Sequence, residues 1–288
     1  MHERQAARSS DTELQRSVGS CRIVLKGSER GNQIVDLFQR SPARVMFPHV
    51  SNADDADYRE AVLINTAGGV AGGDRLDTDV TALADAAITL TSQAAERIYC
   101  ALDQPARIST TLTACAAAKL AWCPQETIVF DRARVRRETR IAVSPGAELL
   151  AIEWIVLGRA AYGEAVAGGS VVDSWRVEQN GRLVWADTLR ITDDVFPHLR
   201  RSALLAAFTA IATLVYVGPD LKKRLECLRD WTASLGCHSA ATVVGGLIVV
   251  RFAAAEASAL RTGLRDFLNR FDRAFGPGPF RVPKMWSC

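Results

Sequence analysis

The stretch "AVLINTAGGVAGGDRL", Ala61–Leu76, carries Gly68, Gly69, Gly72 and Gly73 and closes on Asp74. Glycine costs backbone entropy, so such a cluster needs a conformational or packing reason. A Walker loop would place lysine and Ser or Thr after its last glycine, but Asp74 and Arg75 stand there. The G-x-G-x-x-G spacing of a dinucleotide fingerprint is also missed. The next residues, "RLDTDVTAL", alternate like a strand and have no helical apolar stripe. Without a helix start there is no row of free N–H groups for phosphate. The cluster therefore predicts positive-φ turns and close passage of one backbone over another, with Asp74 accepting N–H groups of the turn. A hydrolase or nucleotide-using enzyme built around the Gly68–Gly73 loop is the competing reading.

Outward from this loop, short alternating runs and turn residues succeed one another from Cys21 to about Ile191. Ala61–Asn65, Leu76–Leu83 and Arg134–Val143 are such runs. Ser51–Arg59 is a polar loop, and Asn180-Gly181 signals a hairpin. Three segments overlay: "AAITLTSQAAERIY" from Ala86, "AKLAWCPQETIVF" from Ala118 and "GAELLAIEWIVLG" from Gly146. Each soon places an aliphatic residue (Ile88, Leu120, Leu149) and then a glutamate (Glu96, Glu126, Glu153). The period of about 30 residues suits stacked supersecondary layers, with chance similarity among alanine-rich strands as the competing account.

This pattern predicts a mainly β protein, an irregular layered β-solenoid or β-sandwich-like stack. A small C-terminal α/β portion of two or three helices, within about 200–275, belongs to it. Leu221–Leu235 and Ala254–Phe275 have helical periodicity, the second with Leu260, Leu264, Phe267, Leu268, Phe271 and Phe275 on one stripe. "ATVVGGLIVVRF" reads as a strand pair around Gly245-Gly246. Ala203–Val217 is too short for a membrane helix and reads as a buried helix or strand pair. Residues 1–17 read as a disordered tail and 18–288 as one domain.

Composition narrows the function. With 48% apolar and 23% charged residues the chain is an ordinary globular protein. A net charge of +3 argues against nucleic acid. Seven cysteines without a C-x-x-C pair suit a reducing cytosol. Residues 1–17 have no apolar h-region, so a cytoplasmic protein away from membranes is expected.

Chemistry-bearing motifs are few. His2, His49, His198 and His238 form no H-x-H or H-E-x-x-H pattern, and no G-x-S-x-G elbow occurs. A plain metal carrier is therefore poorly supplied with ligands. Stacking would bring Glu96, Glu126 and Glu153 into one neighbourhood, where they need a cation or hydrogen-bond donors. Arg132, Arg134 and Arg136 at period two read as one solvated strand face that discourages edge pairing, or docks an acidic surface.

In order along the chain, "NTAGGVAGGDRL", "LTSQAAERIY", "PQETIVFDRARVRRETRI", "EWIVLGRAAYGE", "WRVEQNGRLVWADTLRI" and "GGLIVVRF" resemble the signatures of the urease accessory protein D family, called H in some organisms. The resemblance implies a non-enzymatic maturation factor. Such a protein binds apo-urease and forms the platform to accessory protein F, with the GTPase accessory protein G joining. It supports nickel insertion and carbamylation of the active-site lysine, and internal tunnels are proposed to carry the nickel. No cofactor of its own is implied, only nickel in transit.

The family blocks fall on Thr66, Gly68, Gly69, Gly72, Gly73 and Asp74, on Gln93 and Glu96, on Gln125, Glu126 and Asp131, and on Glu153, Gly158, Arg159 and Glu164. Asp74, Glu96, Glu126 and Glu153 are the candidate acids of a nickel path. His49 and the terminal Cys288, beyond Trp286, depart from the family pattern.

Overall fold

Leu83–Ala86, Cys115–Ala118 and Ser144–Ala147 form one β-turn three times over. In each, the fourth N–H returns to the first carbonyl, and the third residue (Asp85, Ala117 or Gly146) has φ of 60°, 57° or 75°. Each turn ends a strand of one sheet and opens a strand of a second, so the chain winds in layers.

The computed structural model describes residues 16–29, 31–48, 59–159, 162–276 and 280–287. Most of the expected tail, the loop from Ser51 to Tyr58, His49 and Cys288 lie outside the described residues.

The first strands are β1 (Val18–Ser28), β2 (Gly31–Arg40), β3 (Ala43–Met46), β4 (Arg59–Asn65), β5 (Arg75–Ala82) and β6 (Ala87–Ser92). The next are β7 (Glu96–Ile98), β8 (Ala106–Ala114), β9 (Lys119–Trp122), β10 (Thr127–Val129), β11 (Arg134–Val143) and β12 (Glu148–Leu157). Then come a hairpin, β13 (Ser170–Gln179) and β14 (Arg182–Ile191), and β15 (Ala210–Val217). Helix α1 (Leu221–Thr232), β16 (His238–Val244), β17 (Leu247–Ala254) and helix α2 (Ala257–Phe275) complete the order.

The first sheet runs β14-β13-β11-β8-β5-β1-β2. Its inner members β13, β11, β8, β5 and β1 are parallel, while β14 and β2 pair antiparallel at the two edges. The second sheet runs β16-β17-β15-β12-β9-β6-β4-β3, with short β7 and β10 alongside β12. Ile88, Leu120 and Leu149 stand in one row across β6, β9 and β12. The aliphatic positions of the repeat read from the sequence thus mark the stacking register, whereas its glutamates do not share a row, and the fold is the mainly β, solenoid-like stack that the pattern predicted.

Other expectations change in detail. Ala203–Val217 is neither helix nor strand pair: only Ala210–Val217 is regular, as β15. That strand lies between β12 and β17, which explains its unbroken apolar run. Helix α2 begins at Ala257, because Ala254 is still the end of β17. Arg132 lies before β11 at φ 59°, so only Arg134 and Arg136 share the outer face of the strand. Strand β11 pairs on both sides with β8 and β13, so it has no edge to guard.

Asn180 and Gly181 have φ of 54° and 74° and form the expected tight hairpin turn.

Two apolar clusters fill the space between the sheets. One gathers Ile23, Val80, Leu112, Ile141, Ile88, Leu120 and Leu149; the other Ile98, Val129, Val135, Ile155 and Val171. A third cluster lies on the outer face of the second sheet, under the helices. There Leu260, Leu264, Phe267, Leu268 and Phe271 of α2 are fully buried, each contributing roughly 1.5–3 kcal/mol.

Candidate functional site

Between the two interlayer clusters the inward residues turn polar. On β11 the buried positions read Val135, Arg137, Thr139, Ile141; on β12, Ala151, Glu153, Ile155; on β13, Val171, Asp173, Trp175, Val177. Thr110, Trp122 and Thr127 complete a belt across the interior. Register places Leu76, Ile108, Arg137 and Asp173 in one row of the first sheet, so two charges continue a row that begins apolar.

Arg137 is the centre of the belt, and both it and Glu153 are only 5% exposed. Its Nε and Nη2 each donate at 2.8 Å to the two carboxylate oxygens of Asp173. Its Nη1 donates to Glu153 Oε2 at 2.6 Å and to Thr127 Oγ1 at 2.9 Å. Trp122 Nε1 donates to the other oxygen, Glu153 Oε1, at 2.7 Å. Burial works against the charge of Arg137, but Asp173 and Glu153 overcome it and hold the guanidinium protonated. Burial pushes the Glu153 carboxyl up, while Arg137 and the Trp122 hydrogen bond pull it back. A buried ionic group of this kind seldom stabilises a fold more than apolar side chains would. Thr139 Oγ1 and Trp175 Nε1, also buried, have no hydrogen-bond partner among the described residues.

Two cavities flank the belt. One, about 320 Å³, is lined by Asn65, Gly68, Gln93, Glu96, Gln125, Thr127, Arg137 and Glu153 among others. The second, about 430 Å³, is lined by Arg137, Glu153, Asp173, Trp175, Asp187 and His238 among others. At the first cavity, burial pushes the Glu96 carboxyl up to about 7, and the Asn65 Nδ2 hydrogen bond at 3.0 Å works against that.

The candidate residues divide accordingly. Gly68, Gln93, Glu96, Gln125 and Glu153 come together around the first cavity. Glu126 does not: it points away and pairs with Arg261 of α2 at 2.6 Å. The reason is parity. Glu96 pairs with Thr127, which pairs with Ile155, so Glu126 and Glu153 lie one and two residues before that shared row. A slip of one residue turns a side chain to the opposite face, and a slip of two restores it.

Asp74 is held in the glycine loop, where it accepts the N–H groups of Ala71 and Ser17 at 2.8 Å each. Thr66 Oγ1 donates to the Pro42 carbonyl, and Asp131 accepts from the Ala167 and Gly168 N–H groups. Arg159 pairs with Glu164 at 2.8 Å and lies 4.1 Å over the Phe130 ring.

The glycine loop leads straight into β5, with no helix after Asp74. Its amides at Gly68, Val70 and Asp74 donate to the Asn65, Arg97 and Ala71 carbonyls. Gly69 is needed because a Cβ there would stand 2.4 Å from the Tyr99 ring, and at Gly72 it would stand 2.6 Å from Ala101 Cβ. Close passage, as read from the sequence, is the loop's reason. Such a loop offers no phosphate cradle, which removes the basis of the nucleotide reading.

His198 ends a short 3₁₀ turn and is exposed; His238 packs its ring 4.7 Å from Phe208 and lines the second cavity. Among the described residues no three His, Cys, Asp or Glu side chains gather as a metal set, and no helix is long and apolar enough to cross a membrane.

Sequence reading missed Arg137, Asp173 and Asp187. The signal was present for Arg137: Val135, Ile141 and Val143 set the inward parity of β11, and Arg137 falls on it.

Fold and site together define a coiled β scaffold with a charged belt through its interior. The model of the family described as UreD urease accessory protein matches residues 17–287, and the chain belongs to that family. A urease accessory protein UreD of Rhizobium johnstonii is 38% identical over 276 residues, 96% of this chain and 97% of its own. One from Rhodopseudomonas palustris is 42% identical over 243 residues, 84% of each chain. One from Bradyrhizobium diazoefficiens is 36% identical over 286 residues, 99% of each.

Proposed function

We propose that this chain is a urease maturation factor: a cytoplasmic, non-catalytic scaffold that binds apo-urease, works with accessory proteins F and G, and supports nickel insertion. Nickel is its cargo, passing along the interlayer belt. Family membership supports the partner side of this reading. The belt supports the cargo side, and it is the observation that carries the proposal.

A divalent cation in a low-dielectric interior needs carboxylates at each stopping point, because bare burial of charge is prohibitive. Glu96 is at one cavity, Glu153 is at the boundary of both, and Asp173 is at the other, with Asp187 at its more exposed side, where it pairs with Arg251. The apolar clusters on either side confine a hydrated ion to this belt. Carboxylates and one imidazole, without thiolate pairs, form a weak and exchangeable donor set, as transit demands.

The test is co-expression of the chain, or E153Q, with the urease subunits and accessory proteins F and G. The expected result is normal co-purification of the E153Q complex with at least tenfold less nickel in the urease. Full nickel loading with E153Q would overturn the cargo side, and failure of the native chain to co-purify with apo-urease or protein F would overturn the partner side.

A further inference from the structure

The two cavities have two lining residues in common, Arg137 and Glu153. This ion pair is thus part of the wall that the two cavities share, and the Asp187–Arg251 pair stands farther along, at the second cavity. We propose that Arg137 is a gate: a divalent cation moving from one cavity to the other must take the place of its guanidinium on Glu153. This rests on the reading that nickel travels through the interior.

The geometry says which contact yields. Arg137 holds Asp173 through a two-bond fork, and such planar bidentate pairing is the strongest form available to arginine. Towards Glu153 it offers one hydrogen bond, from an Nη1 shared with Thr127. A swing of the whole rigid guanidinium about its fork to Asp173 breaks that single contact and frees Glu153, while Asp173 keeps the group in the layer. Closed, the cationic side chain repels a dication from either side and occupies the oxygen it would need. Glu153 keeps its other oxygen on Trp122 Nε1, so the acid stays oriented through the exchange. Asp173 is a positioning residue here, acting on the cargo only through Arg137.

The full-length chain tests this with its own reporter, since Trp122 touches Glu153. Nickel(II) is titrated while tryptophan emission is monitored, with W122F as the background control. The variant R137M/D173N removes one positive and one negative charge, so the cluster keeps its net charge. It is expected to show quenching at nickel concentrations at least tenfold below those affecting the native chain, and E153Q in the same background is expected to abolish it. Equal quenching of the native chain and of a folded R137M/D173N would overturn the gate.

Should that variant lose its circular-dichroism signature, R137K serves instead. It keeps the charge but loses the fork to Asp173, and an intermediate, several-fold increase in quenching is expected; none would overturn the proposal. Urease nickel content in cells carrying E153Q separates the two ideas. If it stays normal while R137M/D173N gains quenching, the transit reading falls and the barrier stands.

Discussion

Glu126 and Glu153 are alike in the sequence repeat and opposite in the molecule, and the difference is a single step of pleat. Glu153 is buried against Arg137, and E153A leaves the Arg137–Asp173 pair intact but takes the acceptor from Trp122 Nε1 and from one Arg137 N–H, a change expected to cost about 1–3 kcal/mol for each orphaned donor; thermal unfolding of purified variants measures it. E126A gives up a partly exposed pair with Arg261, worth about 1 kcal/mol or less, and is expected to leave nickel loading of urease unchanged. In the glycine loop, G69A forces a methyl group into the Tyr99 ring and is expected to lose on the order of 2–3 kcal/mol. G68A meets open space and is strained only by its φ of 74°, at about 1–2 kcal/mol. Denaturant titration should rank G69A below G68A. The opposite facing of Glu126 and Glu153 was not legible, because the pairing of β7, β10 and β12 across coils sets it. The loop's turns and Asp74's role come from glycine and aspartate chemistry, whereas Tyr99 above Gly69 comes from the neighbouring coil.

At the scale of elements, legibility tracked the range of the interaction. The apolar stripe of α2 and the Asn180-Gly181 hairpin are local patterns, and both were readable. The stacking of β6, β9 and β12 was readable because the repeat carries its own register. The C-terminal segment was not readable: Trp286 Nε1 donates to the Cys123 carbonyl at 3.0 Å and its ring packs 5.9 Å from Trp154, partners remote in sequence. Gln125 joins them by donating to the Met285 carbonyl. This segment straps the helical layer to the coils, so W286A is expected to destabilise the protein by about 3–5 kcal/mol, read as a lowered unfolding midpoint. The recurring turns give the opposite expectation. Ala117 holds the position that Gly146 holds one coil later, and A117G should raise stability by about 1 kcal/mol by relieving a positive φ.

For the whole molecule, the interior belt couples stability to pH through Glu96. Its native carboxyl titrates near 7 against an ordinary 4.5. Between those values the folded state holds a proton that the unfolded state has lost, so this contribution is full below pH 4.5 and is lost as pH rises through about 7. Relative to E96Q, the native chain is expected to lose about 1–2 kcal/mol between pH 5.5 and 8, measured by denaturant unfolding at each pH. The belt itself was the hardest feature to read. Arg137 sits in an arginine-rich run whose surface members hide it, and its partners Asp173 and Glu153 come from different coils.

The parallel core of the first sheet ends on both sides in a strand of opposite direction, β2 and β14. Those reversed flanks end the parallel run, so a further parallel coil cannot simply continue the winding past either edge. A further winding in the same sense fits between them, as a tandem copy of one coil, whose neighbours already present matching rungs. Such duplication would add a further pair of inward-facing rows, which under the proposed transit makes the number of windings the measure of how far a passenger must travel.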